Sequence, residues 1–309
     1  MQSAPKPNWT TVSGGDLVDL PASHIEVWFA SRGRKVFFRA IRLITKTLRG
    51  CLMKRGYMSF TQIILERTPP IAKITLNRPE ALNALSPTLL SELNQALNDV
   101  KQDQQIKVVV LTGSGRAFCA GADLKFMAQA QQKEIFDYIQ MLEEVFFKLE
   151  CLDKPVIAAV NGYALAGGLE LTLCCDLVVA SEQAIFGDEH INRNLMPGGG
   201  STIRLARIIG LRRAKELLYT GDRWDAKRAY EAGLVNLVVP NEKLDETAME
   251  LASKIASKSS FALRLIKQVV NRSLDSDGET LQTLERAAFN LVISSPEAQE
   301  GLRTFLSKK

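Results

Sequence analysis

Two short runs constrain this chain more than any other feature: AFCAGADLK over Ala117–Lys125 and NGYALAGGLELTLCCD over Asn161–Asp176. Each sets glycine and alanine where a strand-like stretch gives way to a helix-like one. In such a turn the backbone N–H groups point outward with no partner of their own, and glycine relieves the sterics of the bend. Two turns of this kind facing one point would present paired N–H donors to a polarised carbonyl, an oxyanion hole. Glu170, three residues after Gly167, would then supply a carboxylate beside that carbonyl.

Size and charge narrow the class further. A chain of 309 residues, 46% apolar and 24% charged, buries a large core as one domain or two. No apolar run reaches the roughly 18 residues that span a bilayer. The longest, Val156–Leu173, is broken by Asn161, by glycines and by Glu170. The five cysteines have neither CxxC spacing nor the pattern of a disulfide framework, which suits a reducing compartment. With two histidines, His24 and His190, and no HExxH or clustered DxD, the sequence points to no metal site. The charge is uneven: residues 1–57 carry a net +7, leaving −2 on the rest. A nearly neutral body gives no reason to expect nucleic-acid binding.

Along the chain, residues 1–30 are irregular and residues 34–55 read as a basic amphipathic helix. Phe37, Ile41, Ile44 and Leu48 recur at helical spacing, with Arg39, Arg42, Lys46 and Arg49 on another face. This segment is read as a membrane-surface or targeting element, or as an appendage upstream of a start at Met58. From residue 59 the pattern is dense. Strands are expected at Gln62–Glu66, Ile71–Leu76, Val108–Thr112, Pro155–Val160 and Leu177–Ala180. Helices are expected at Leu89–Val100, from about Glu134 to Leu152, and at Glu170–Cys175. After Asn241 the strands stop and three or four helices follow. The succession suits a layered α/β core.

Four further segments stand in order with the two opening runs: NRPEALNAL at Asn77–Leu85, FGDEHINRNLMPGGGSTIRLAR at Phe186–Arg207, ELLYTGDRWDAKRAYEAGLVNLVV at Glu216–Val239, and EGLRTFLSKK at the C-terminus. Together they resemble the crotonase (enoyl-CoA hydratase/isomerase) superfamily over about residues 59–309. The resemblance implies an α/β fold, a crotonase-like spiral of ββα units with a helical C-terminal region, in a homotrimer or a dimer of trimers. The organisation it implies is an N-terminal extension over 1–57, a ββα core over 58–255 and a trimerisation region over 256–309. It assigns the oxyanion hole to the N–H groups of Ala122 and Gly167. It assigns the adenine and pantetheine channel to Glu80, Ala81, Leu82 and Ala84 with Ala120, Asp123, Leu124 and Lys125, and a phosphate contact to Lys308.

Glu170 resembles the first catalytic glutamate of the hydratases, a group placed to activate water or move a proton at the substrate's α and β carbons. The second glutamate is where this sequence departs. Counting from Glu170, the expected position holds His190, preceded by Asp188 and Glu189. An imidazole can do acid–base work there, and an ionised Glu170 nearby would raise its pKa. The alternatives are Glu189 or Asp188 turning in, or no second acid at all. Asn194 stands where relatives place glycine, and it tolerates positive φ better than most residues.

The resemblance therefore implies an enzyme acting on an acyl-CoA thioester, with coenzyme A carried by the substrate and no other cofactor. Syn hydration of a 2-enoyl-CoA comes first. Isomerisation or other enolate chemistry with one glutamate comes second, and a non-catalytic CoA-thioester-binding protein third. The expected location is cytoplasmic, or mitochondrial if the basic helix is a targeting segment. The switch in pattern near residue 59 generates a direct expectation. A chain beginning at Met58 should be soluble, oligomeric by light scattering and as active as the full chain; insolubility or lost activity would show that the N-terminal helix belongs to the core.

Overall fold

The computed structural model describes residues 60–307, so the amphipathic segment 34–55 and Lys308 lie outside the described residues. The body begins with β1 (Ile63–Thr68) and β2 (Ile71–Leu76), paired antiparallel across the Pro69–Pro70 turn. Then come α1 (Pro87–Gln102), β3 (Val108–Gly113), β4 (Ala117–Cys119), α2 (Leu124–Gln129), α3 (Gln132–Glu150), β5 (Val156–Val160), β6 (Tyr163–Leu165) and α4 (Gly167–Leu173). The chain continues through β7 (Leu177–Ser181), β8 (Ile185–Gly187), α5 (Ser201–Ile209), α6 (Leu211–Thr220), β9 (Trp224–Asp225), α7 (Ala226–Glu231) and β10 (Leu237–Val239). It closes with α8 (Leu244–Ala256), α9 (Ser260–Arg272), α10 (Gly278–Ile293) and α11 (Pro296–Ser307).

Two sheets result, one in the order β1-β2-β3-β5-β7-β10 and one in the order β4-β6-β8-β9. The strands from β3 to β8 alternate between them: β3, β5 and β7 enter the large sheet, β4, β6 and β8 the small one, and helices follow each pair. This is the ββα spiral. Within the large sheet β2, β3, β5, β7 and β10 run parallel. Parallel strands need cover on both faces, and β3 shows how the sequence provides it. Val108 and Val110 point to one face, under Leu244, Ala248 and Ala252 of α8. Val109 and Leu111 point to the other, into a core with Leu89, Leu93 and Leu97 of α1 and Leu142, Phe146 and Leu149 of α3. Each such side chain, fully buried, stabilises the fold by about 1.5–3 kcal/mol.

Local chemistry sets the boundaries. Ser86 accepts the Leu89 N–H at 3.0 Å, and Pro87 opens α1 behind it. The sequence pattern places the start of α3 at Glu134, but the helix begins at Gln132 because Glu134 folds back to accept the Gln131 N–H at 2.7 Å. The first strand likewise runs two residues past Glu66, to Thr68, where pairing with Ile71 closes the hairpin.

The layers are held closest where α4 meets β4. A Cβ added to Gly168 would lie 1.9 Å from the Cys119 carbonyl oxygen, a backbone atom that cannot swing aside. Gly168→Ala should therefore lower stability by about 1–3 kcal/mol, the usual range for overpacking, and reduce turnover by displacing α4. A thermal melt matching the wild type would contradict this packing.

Candidate active site

β4 and β6 lie side by side and parallel, so the turns that follow them fall next to each other. After β4 the chain bends at Gly121, whose φ of +106° lies in the region glycine favours. After β6 it bends at Ala166, with φ 48° and ψ −117°. A residue with a side chain held in so sparse a region costs about 1–3 kcal/mol, and such strain persists only where the surroundings enforce it. The enforcement is visible: the Ala166 N–H donates to the Gly187 carbonyl at 2.8 Å, and the Ala166 carbonyl accepts the Glu170 N–H at 3.0 Å. The ψ of Ala166 sets the plane of the next peptide, so this bend aims the Gly167 N–H. A Cβ on Gly167 would sit 3.3 Å from the Ala122 nitrogen. The two N–H groups thus border one spot, and among the described residues neither has a hydrogen-bond acceptor.

The first turn is stitched to its neighbours on both sides. The Leu85 N–H donates to the Gly121 carbonyl at 2.8 Å. The buried Tyr138 hydroxyl donates to the Leu85 carbonyl at 2.6 Å and accepts the Asp123 N–H at 3.1 Å. Leu82 and Asn83 are both left-handed, and Asn83 makes their conformation tolerable. Its Oδ1 accepts the Arg78 N–H at 2.8 Å, while its Nδ2 donates to the carbonyls of Ser114 at 2.9 Å and Ala117 at 2.8 Å. Arg78 reaches the Ala84 carbonyl at 3.2 Å and Asp123 Oδ2 at 2.6 Å. Burial alone would raise the Asp123 pKa, but N–H bonds from Phe126 and Lys125 and the Arg78 guanidinium hold its carboxyl below the usual range.

These contacts locate the positions expected to line a ligand channel. Ala81, Leu82, Ala84 and Ala120 are half-buried in the two stitched loops, while Glu80, Leu124 and Lys125 are exposed. Asp123 is buried, and its carboxylate is engaged by Arg78 and the α2 N-terminus.

Glu170 projects from α4 towards the loop before α5 and is buried. Its Oε1 accepts the Gly199 N–H at 2.7 Å and the Ser201 N–H at 3.1 Å. Burial raises its pKa above the ordinary carboxylate value, and the His190 charge and the two N–H donors only partly offset that rise. Its Oε2 lies 3.9 Å from His190 Nε2.

The 188–190 segment divides its side chains between two directions. His190 faces Glu170, with its side chain 13% exposed, and its Nδ1 is 2.8 Å from Asp188 Oδ1. Burial would depress the imidazole pKa, but the hydrogen bond and charge of Asp188, with Glu170, outweigh burial and Arg193, and the net shift is upward. Glu189, left-handed at φ 53°, turns the other way. It pairs with Arg223 and lies 3.4 Å from Arg193. A carboxylate held by two guanidiniums on that side is not turned towards Glu170. Asn194 takes up a left-handed conformation with φ 55°, so the turn keeps its shape without glycine.

Sequence reasoning passed over four residues of this site: Arg78, Asn83, Tyr138, and Asp188 as the partner of His190. The first two lie inside the NRPEALNAL run, so the signal was present. Tyr138 sits in an amphipathic helix, where its hydroxyl is indistinguishable from core filling.

Comparisons with known proteins agree with this geometry. Residues 66–309 match the profile of the enoyl-CoA hydratase/isomerase family. A crotonyl-CoA hydratase from Syntrophomonas wolfei is 39% identical over 253 residues, 82% of this chain and 97% of the relative. A short-chain-enoyl-CoA hydratase from Clostridium acetobutylicum is 38% identical over 82% of this chain and 97% of the relative. A crystal structure of an enoyl-CoA hydratase from Bacillus anthracis, 42% identical, superposes with a TM-score of 0.78 and covers 81% of this chain and 97% of that one.

Proposed function

The chain belongs to the enoyl-CoA hydratase/isomerase family within the crotonase superfamily, and from that membership and the geometry of the pocket we propose that it adds water across the double bond of 2-enoyl-CoA thioesters. One observation carries the reading: Glu170 Oε2 lies 3.9 Å from His190 Nε2, and Glu170 stands on the same short helix as Gly167, one of two neighbouring N–H donors without an acceptor among the described residues. One water bonded to both side chains at about 2.8 Å fits the gap between them.

In this reading the thioester carbonyl accepts the N–H groups of Ala122 and Gly167, which draws electron density from Cβ through the conjugated double bond. Water oxygen bonds to Cβ while Glu170 takes its proton. Negative charge gathers on the thioester oxygen, where each N–H donor is worth about 10²–10³ in rate. The His190 imidazolium then delivers a proton to Cα, and the thioester carbonyl re-forms. Transfer of the Glu170 proton back to His190 through the next water restores the starting state. No cofactor is needed beyond the coenzyme A carried by the substrate.

From the family membership the adenine and pantetheine are assigned to a channel along Glu80, Ala81, Leu82, Ala84, Ala120, Asp123, Leu124 and Lys125, and a phosphate contact to Lys308, which lies outside the described residues. A homotrimer, or a dimer of trimers, would cover the large apolar side chains that α9 and α10 expose, among them Ile266, Val270, Phe289 and Leu291. Among the described residues no helix is long and apolar enough to cross a membrane. The free Cys119 and Cys174 suit a reducing compartment, the cytoplasm first.

Substitutions at the two acid–base groups test the reading. Glu170→Gln should lower kcat at least about a hundredfold, the low end for general acid–base catalysis, with CoA-ester binding little changed. His190→Ala should abolish hydration, and His190→Glu should retain or increase it. The wild-type kcat profile should be bell-shaped. Its acid limb should lie above the ordinary carboxylate range because Glu170 must be ionised and its pKa is raised. Its basic limb should lie above the ordinary imidazole value because His190 must be protonated and its pKa is also raised. Near-wild-type turnover of the Gln variant would sink the assignment. A wild type that migrates double bonds but never adds water would establish the one-base isomerase instead.

A further inference from the structure

His190 stands where the resemblance leads one to expect a carboxylate, and an imidazole brings a problem a carboxylate does not have. Its ring has two distinct nitrogens, it can flip, and it donates from Nε2 only in the right tautomer or charge state. Something must fix which nitrogen faces the substrate. Asp188 is built for this. Its side chain is 1% exposed, and His190 Nδ1, at 2.8 Å, is its only ion-pair or hydrogen-bond partner among the described residues. The second carboxylate oxygen, Oδ2, is buried with no hydrogen-bond partner among the described residues. A buried carboxylate with one oxygen unsatisfied and one cationic neighbour favours a proton on that neighbour. Asp188 immediately follows β8, whose Gly187 carbonyl holds the Ala166 turn, so carboxylate and oxyanion donor share one anchor.

We propose that Asp188 is the positioning residue for His190, its carboxylate holding Nδ1–H so that Nε2–H is the face turned to Glu170 and the substrate's Cα. The inference rests on the acid–base reading of His190 given above. The groups facing the imidazole are Asp188 and Glu170, which favour its charged form, and Arg193, which opposes it. Glu189 belongs to the separate pair with Arg223 and Arg193. Asp188 touches no reacting atom; it acts through the ring.

The chain has only two histidines, so imidazole NMR resolves the question cleanly, with a His24→Gln variant assigning the signals. In the wild type His190 should titrate above the ordinary value of about 6.5, with its Nδ1 proton in a strong hydrogen bond. A midpoint at or below the ordinary value would overturn the proposal without any variant at Asp188. Asp188→Asn should lower the His190 midpoint, move the basic limb of the kcat profile to lower pH and reduce kcat at least about 10-fold, the low end of the loss when the carboxylate orienting an imidazole is removed. KM should change little. In a His190→Glu background the same substitution should cause no further loss, because there is no ring left to orient. Equal losses in both backgrounds, or an unmoved titration, would mean that Asp188 merely holds the loop. If the wild type never hydrates an enoyl-CoA, the proposed function falls, and the titration still reports on the Asp188–His190 pair by itself.

Discussion

The pocket is arranged around two backbone N–H groups, those of Ala122 and Gly167, that have no acceptor among the described residues. Gly167 is buried and Ala122 partly so, and leaving a buried donor unmade costs about 1–3 kcal/mol, so the fold must hold such donors in place. The ββα spiral does this by pairing β4 with β6 in parallel, which brings the Gly121–Ala122 and Ala166–Gly167 turns next to each other. Gly168 allows α4 to descend onto β4, and the strained Ala166 is locked by the Gly187 carbonyl. Loosening any of these contacts would let the two donors drift apart or find acceptors within the protein.

The electrostatics of the pocket follow from the same crowding. Glu170 is buried deeply enough that desolvation outweighs its two N–H partners and the imidazole, so its pKa rises. His190 is partly buried, yet its pKa also rises, because the hydrogen bond and charge of Asp188 at 2.8 Å, with the charge of Glu170 at 3.9 Å, outweigh its desolvation. Where the expected pattern has two carboxylates, this chain has an imidazole braced by one carboxylate and facing another. The imidazole at residue 190 and the aspartate two residues before it meet at 2.8 Å, so the two are coupled in this pocket.

Much of this was legible in the sequence, for physical reasons. The large sheet's strands are long enough, and covered on both faces, so apolar runs such as Val108–Leu111 announce themselves. The glycine and alanine turns announced the N–H donors, since few other residue types tolerate bends that tight. The small sheet was not legible by pattern: its strands are two or three residues long, too short for any alternation to register. Nor was the bracing between loops. Arg78 and Asp123 are 45 residues apart and meet at 2.6 Å, and Glu170 finds its N–H donors 29 and 31 residues on. Contacts of that range depend on how layers stack, which no local spacing encodes. The choice between Glu189 and His190 was open for the same reason. The direction of the Glu189 side chain depends on Arg223, more than 30 residues away, with which it pairs.

Because the two N–H donors are backbone atoms, no side-chain substitution removes them, and the most direct test is spectroscopic. An isotope-edited infrared difference spectrum of a saturated acyl-CoA, labelled at the thioester carbonyl and bound to the protein, reads the polarisation of that bond. With Ala122 and Gly167 donating, the band should move to lower wavenumber than in solution, and the shift should survive Glu170→Gln. A bound carbonyl that absorbs where it does in water would contradict the account at its centre.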